Sequence, residues 1–366
     1  MTQSAVRPSR RRLVIAGAAT AAVAAAVVVP AATSSAASLK LPPRTAAELL
    51  ASVEATGAAS NALGLSGTVV QTSRLGLPAL PSGAARTDAL ALLSGSHTLQ
   101  VHAAGPDRQR IALLGQLAEY DVVRNGRDVW TYTSDSRTAT HLQLPAASST
   151  HASGAAGDPA GQYQSPQQAA AAALDAINPT TAVGIEANVR VARRAAYQLV
   201  LTPRDTATLI RSVRIAIDAA TSLPLRVQVW GSSSSTQPAV EVGFTDISFT
   251  TSPASVFAFA PPVGTKVVEQ QAPSTQKSTD PAASSQTQTQ TRTLGTGWTS
   301  VVAARGAGVG ALDPGRRSLL DRLTRPVPGG RVLTSSLVSV LLSDDGRLSA
   351  GAVPAGTLSK VAAGDR

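Results

Sequence analysis

Between residues 97 and 144 apolar and polar side chains alternate, with turn signals at short intervals, and a period of two commits the segment to half-buried antiparallel strands. His97, Leu99 and Val101 interleave with Thr98, Gln100 and His102 before Gly105-Pro106-Asp107 breaks the run. Ile111 and Leu113 resume it, and Tyr120, Val122 and Arg124 follow on one face. Asn125-Gly126 reads as the centre of a type I′ hairpin turn, where both positions need φ > 0. Val129-Trp130-Thr131-Tyr132 returns, and Ser134-Asp135-Ser136 turns the chain again. The alternation comes back in Val183, Ile185, Val189 and Val191, then in Tyr197, Leu199 and Leu201, and in Val213, Ile215 and Ile217. Leu225, Val227 and Val229, followed by Val240, Val242 and Phe244, complete it. Arg214, Asp218, Arg226, Gln228 and Glu241 fall between these positions and are expected in water.

Helices are few. Thr45-Ala46-Ala47-Glu48 is a capping box that opens a helix to about Ala55, with Leu49, Leu50 and Val53 on one face. Ser165-Pro166-Gln167-Gln168 opens a second, which runs through alanines to Leu174 and Ile177. About eleven strands side by side span on the order of 50 Å, whereas two helices cover about 20 Å. One apolar face therefore exceeds its own cover, so the sheet must close on itself, meet a partner, or curve round an apolar ligand. Periodicity leaves all three open.

A chain of 366 residues with 43% hydrophobic content can bury a sizeable core, and 3% aromatic content does not suit a nucleic-acid platform. The absence of cysteine excludes disulfides, thiol catalysis and thiolate metal sites. Four of the positive charges, Arg7, Arg10, Arg11 and Arg12, precede an uncharged stretch that reaches Ala32 and then small residues. Residues 1–37 therefore read as an export signal of the Sec or Tat kind, cleaved after Ala37 or kept as an anchor helix. The other basic residues are dispersed, so no nucleic-acid partner is expected. Residues 38–269 form the main domain, residues 270–293 a polar linker, and residues 294–366 further strands and a helix from about Ala355. That last part docks on the main domain or stands as a small module.

No chemistry of catalysis stands out. His97, His102, His141 and His151 lie in no metal-ligand spacing. Gly306-Ala307-Gly308-Val309-Gly310-Ala311 has the letters of a dinucleotide fingerprint, but Asp313-Pro314-Gly315 ends any helix where the phosphate site requires one. No nucleophile elbow or Walker loop occurs, so neither an enzyme nor a cofactor or metal is expected.

Five short motifs carry a family resemblance. They are Gly105-Pro106-Asp107-Arg108-Gln109-Arg110; Asn125-Gly126 with Val129-Trp130-Thr131-Tyr132; Phe257-Ala258-Phe259 with Pro261-Pro262-Val263-Gly264; Gly297-Trp298-Thr299-Ser300; and Asp344-Asp345-Gly346-Arg347. With the order helix, strand, loop, meander, helix, meander, they resemble the LolA/LolB lipoprotein-carrier superfamily, and within it secreted LolA-like proteins of actinobacteria. The resemblance implies an α+β fold: an incomplete antiparallel β-barrel, or half-barrel, with a helical lid and a small C-terminal α/β segment. It further implies an extracytoplasmic, non-catalytic carrier of lipid, lipoprotein acyl chains or another hydrophobic ligand, held in the concave face. Related RseB/MucB regulators use a similar half-barrel to restrain an envelope-stress sigma-factor pathway, with a membrane anti-sigma factor as partner. One departure is that Gly105 precedes Pro106, where LolA-type carriers place a lid-tethering arginine. Leu99, Val101, Ile111, Leu113, Val122, Trp130, Tyr132, Leu199, Ile215, Ile217, Val227, Val229 and Phe244 are the candidate cavity lining, and Leu49, Leu50, Val53, Leu174 and Ile177 the lid.

Overall fold

The computed structural model describes residues 39–59, 64–77, 94–115, 119–144, 165–175, 179–231, 235–271, 290–305 and 321–364. Residues 1–37, which the sequence reads as an export signal, together with Ile177, His151 and the glycines around 306–310, lie outside them. Both capping boxes form. Thr45 N donates to Glu48 Oε2 (2.7 Å) and Glu48 N to Thr45 Oγ1 (3.2 Å), opening α1 (Ala46–Ala59). Ser165 and Gln168 exchange the same two bonds at the start of α2 (Pro166–Asp175), with Pro166 at the first helical position.

The alternating segments become strands of one large sheet. Its first meander is β1 (Gly64–Arg74), β2 (Ser94–Ala104), β3 (Arg108–Leu114), β4 (Glu119–Asn125), β5 (Asp128–Thr133) and β6 (Thr138–Gln143). The second is β7 (Thr181–Val191), β8 (Arg194–Pro203), β9 (Ile210–Asp218), β10 (Pro224–Gly231) and β11 (Val240–Ser248). β1 pairs with β11 and joins the two meanders, and β12 (Lys266–Gln271) adds the twelfth strand, beside β6. The sheet is open, with β12 and β7 at its two edges.

Three local expectations need correction. Asn125 closes the β4–β5 ladder opposite Asp128, so the turn residues are Gly126 and Arg127, of which only Gly126 has positive φ (65°). That pattern belongs to a type II′ turn, in which glycine takes the first central position. Residues 270–271 and 290–293, assigned to the linker, are strand. Asp218, expected in water, is 2% exposed.

β12 is parallel to β6, and a parallel pair needs a crossover. Residues 249–265 supply it as a strap across one face of the first meander. His102, Arg110, Val123, Trp130, His141 and Glu269 stand opposite one another in successive ladders and so share that face. His102 Nδ1 lies 2.9 Å from Ser252 Oγ, and Phe259 packs on Trp130 and Tyr132 at ring distances of 5.4 and 5.9 Å. Phe257 is buried beneath the strap with the Arg108 guanidinium over its ring. His141 stacks on Trp130 and contacts Asp128 (3.0 Å) and Glu269 (2.9 Å), tying β5, β6 and β12 together.

Burial, then the Arg110 guanidinium, hold His102 below the ordinary imidazole range. The unfolded chain therefore binds that proton more readily, so the contribution of neutral His102 is complete above about pH 6.5 and fades as pH falls toward the depressed folded value. Unfolding measured in urea between about pH 7 and 5 is expected to show this loss in the native chain and a flatter profile in His102→Gln.

A second sheet follows. It comprises β13 (Gln290–Leu294), β14 (Val301–Arg305), β15 (Arg325–Val327), β16 (Gly330–Thr334), β17 (Ser339–Ser343) and β18 (Leu348–Gly351). α3 (Ala355–Gly364) packs on it through Leu358, beside Val301, Val332, Leu341 and Val353. This sheet meets the ends of the large one. Ser336 N donates to Leu75 O (2.9 Å), Leu209 N and Thr208 Oγ1 both donate to Ala352 O, and Trp298 Nε1 donates to Thr181 Oγ1 (2.7 Å).

Candidate functional site

The register decides which candidate lining residues can act together. Val101 pairs with Ile111 and Ile111 with Val122; Leu99 pairs with Leu113 and with Val69, and Val69 with Phe244. Gln71, two residues from Val69, faces Val242, which leads through Val227 and Ile215 to Leu199. Ile217 and Val229 alternate onto the same side. One largely apolar face thus runs from β4 to β8, with Gln71 on it and its buried residues in two clusters. Trp130 and Tyr132 are not on it: Val122 stands opposite Thr131, so both rings project to the reverse face, beneath the strap. Grouping them with Val122 as one lining is therefore corrected. The aromatic pair had no partner visible in the local sequence, because Phe259 reaches it from far along the chain.

The two helices cover the β8–β10 end of this face. Leu49 and Val53 of α1 and Ala170 of α2 are buried against Tyr197, Leu199, Leu201, Val213, Ile215, Ile217 and Val227, with Leu50, Leu174 and Val229 half-buried at the margin. The helices lie directly on the strands. At the other end Leu99, Val101, Leu113 and Phe244 form a second buried cluster with Val69 and Val242, Ile111 half-buried beside it, and Val122 is also buried.

The two helices are held differently. The N-terminal segment with α1 has polar anchors at both ends: Tyr197 Oη donates to Pro42 O (2.8 Å), Asn188 Nδ2 to Leu39 O (2.9 Å) and Thr56 Oγ1 to Thr221 O (3.3 Å). α2 has Gln167 Nε2 on Pro224 O (3.2 Å) and otherwise offers mainly alanines, Ala169, Ala170 and Ala173, with Leu174. A buried alanine removes far less apolar surface from water than a leucine, which contributes roughly 1.5–3 kcal/mol when fully buried. α2 is the lighter cover.

The reverse face of the second meander carries polar groups beside the buried Ala196 and Ala216. Gln198 is buried, Trp230 is flanked by the guanidinium groups of Arg214 (4.7 Å) and Arg211 (5.3 Å), and Arg214 pairs with Glu186 (2.9 Å). Arg226 and Glu241 line a cleft of about 240 Å³ on this side. Sequence reasoning passed over it because alternating charged residues on a strand ordinarily mark a solvated face. Among the described residues no cluster of metal-ligating side chains occurs, and no helix is long and apolar enough to cross a membrane.

No family model matches the sequence, and neither does any curated protein. Solved structures do match. They carry the names LolA superfamily and MucB. The MucB structure in complex with MucA(peri) shows 18% identity and a TM-score of 0.44, covering 87% of this chain and 97% of that one. The MucA/MucB complex of Pseudomonas aeruginosa follows at 16% and 0.42, with 86% and 97% covered. A LolA superfamily protein from Nitrosomonas europaea shows 12% and 0.22, covering 59% of this chain and 99% of its own. At such identities and TM-scores these likenesses assign the chain neither a family nor a role.

Proposed function

We propose that this chain is an exported, non-catalytic binding protein that takes a lipid, a lipoprotein acyl chain or another apolar ligand against the helix-covered face of its large sheet. The observation that carries the reading is the unequal grip of the lid: a largely apolar face from β4 to β8 is closed at one end by α1, which is anchored, and by α2, which is held by alanines and one glutamine. Lifting α2 uncovers the part of the face that it covers at β10, Val227 included, and an acyl chain laid there gains roughly 0.8 kcal/mol per buried CH₂ without needing a polar anchor. Ligand entry is thus a lid movement on a packed face and not the filling of a permanent hollow.

The test is mass spectrometry of lipid released from the mature protein, with titration of a fluorescent fatty-acid probe. Probe binding is expected, and Ala173→Leu, which thickens the seam beside the half-buried Ala173, is expected to weaken it several-fold. A folded protein that releases no lipid and ignores the probe ends the carrier reading.

A second reading is a regulator that works through protein contact; the MucB structures similar in fold include complexes with MucA. What favours it here is the second sheet, which has its own core and is bonded through backbone groups to the ends of the large one. Capture of the exported part of a membrane anti-sigma factor, with stress-gene expression altered on deletion, supports that reading; capture of nothing, with probe binding intact, supports the carrier.

A further inference from the structure

At the β7 edge the sheet curls. In a flat sheet β7 and β11 stand four strand spacings apart, roughly 19 Å, yet Val191 at the end of β7 shares a core cluster and a cleft with Phe244 of β11. The β7–β8 turn is tight, with Ala192 (φ 47°) and Arg193 (φ 64°) both left-handed, and Arg193 is paired with Asp246 of β11. The turn thus becomes one wall of the 240 Å³ cleft, whose floor is the polar face of β1, β10 and β11.

Arg226 crosses that floor. Its aliphatic stem lies on Gly243, where a Cβ would stand 2.8 Å from Arg226 Cγ, so the absence of a side chain at 243 is what lets the arginine lie flat. Its guanidinium is half-buried, and among the described residues it has neither a hydrogen bond nor an ion pair. Glu241, the carboxylate in the cleft, is instead hydrogen-bonded by Gln228 Nε2 (3.0 Å), and the neighbouring Arg214 is taken by Glu186. Arg190, exposed at the rim, adds a second positive charge. Burial pushes Arg226 below the ordinary arginine value, Glu241 opposing that push and Arg214 adding to it. The Arg226 nitrogens are not among the buried unpartnered atoms, so they reach the cleft solvent with their donors open to an incoming acceptor.

We propose that this cleft is an oxyanion site, in which Arg226 with Arg190 receives a phosphate group, either free or as the headgroup of a lipid. The volume lies below the roughly 300–1,000 Å³ of sites for drug-sized ligands, which suits a small group and not a chain. The planar guanidinium offers two parallel N–H donors to such a group, the geometry in which arginine binds phosphate most strongly. Glu241 weakens the site by like-charge repulsion, and this gives the proposal a variant that improves binding. The site is on the face opposite the helix-covered one, so it stands or falls independently of an acyl cargo.

The experiment is calorimetric titration of the mature protein with inorganic phosphate, beside co-sedimentation with phosphatidylglycerol or phosphatidylcholine vesicles. Arg226→Gln is expected to weaken phosphate binding at least about tenfold, while Glu241→Gln tightens it. Arg226-dependent binding to phosphatidylglycerol vesicles without binding of free phosphate assigns the site to a headgroup; binding of free phosphate without vesicle preference assigns it to the free anion. Native protein that binds neither probe overturns the proposal. Equal behaviour of the native chain and Glu241→Gln in both arms overturns it as well, and that comparison does not depend on Arg226→Gln folding. A fatty-acid probe carries no phosphate and inorganic phosphate no chain, so the two readings fail separately.

Discussion

Asp218→Ala is expected to destabilise the native chain by about 3–5 kcal/mol, the cost of stripping one partner from a buried ion pair. Asp218 sits at the end of β9 with its side chain 1% exposed, and it accepts Arg194 Nε at 2.7 Å and Arg194 Nη2 at 2.8 Å. Thr221 N and Thr221 Oγ1 both donate to its second oxygen at 2.8 Å, which fixes the β9–β10 turn. Without the carboxylate, Arg194 loses its bidentate acceptor and keeps only its place over the Phe249 ring at 4.7 Å. Burial alone would raise the Asp218 carboxyl, but the hydrogen bonds from Arg194 and Thr221 outweigh it and hold the group below the usual carboxylate range. Its stabilisation is therefore complete above the unfolded carboxylate value of about 3.9 and is lost as pH falls through the lower folded value. Urea unfolding at neutral and acid pH checks both points: the variant is expected to be weaker at pH 7 and to lack this part of the acid limb. A variant as stable as the native chain would mean that the pair contributes nothing.

Phe257→Ala is expected to cost a similar amount, about 3–5 kcal/mol, with the damage localised in one half of the large sheet. Phe257 is 1% exposed and is the apolar peg of the strap, lying beside β3 and β4. Losing it leaves a cavity next to the Arg110–Asp121 pair (2.6 Å), in which the Asp121 side chain is 4% exposed. Because the strap delivers β12 to β6, amide exchange in residues 138–143 is expected to accelerate more than exchange in β8 and β9. Uniform acceleration across both meanders would show that the strap is no separate unit.

The second meander was legible because Val213, Ile215 and Ile217, or Tyr197, Leu199 and Leu201, present a strict period of two whose buried side faces helices nearby. Both helix starts were legible for a similar reason, since a capping box is complete within four residues. What escaped was decided at long range. Nothing near Lys266 announces a parallel edge strand, because the described residues of β12 are exposed and its register is set by β6 far earlier in the chain. The faces of Trp130 and Tyr132 were readable from alternation with Val129 and Thr131, but which of them met the core depended on the strap. Asp218 and Arg226 looked like solvated charges; each is half of an arrangement whose other member, Arg194 or Gly243, becomes a neighbour only when the sheet assembles.

The junction of β1 with β11 has a bearing on how the chain reaches this state. Thr68 and Thr245 touch across 177 positions, and His141 and Glu269 across 128. Each meander can zip locally, but neither the β1–β11 joint nor the β12 edge of the large sheet is finished until the polypeptide has been made almost to its second sheet. Loop closure on that scale must precede the contacts that reward it, so assembly is slow compared with a helical protein of equal size. In the interval β1 stands as an unpaired rim, its amides and carbonyls open to any passing strand.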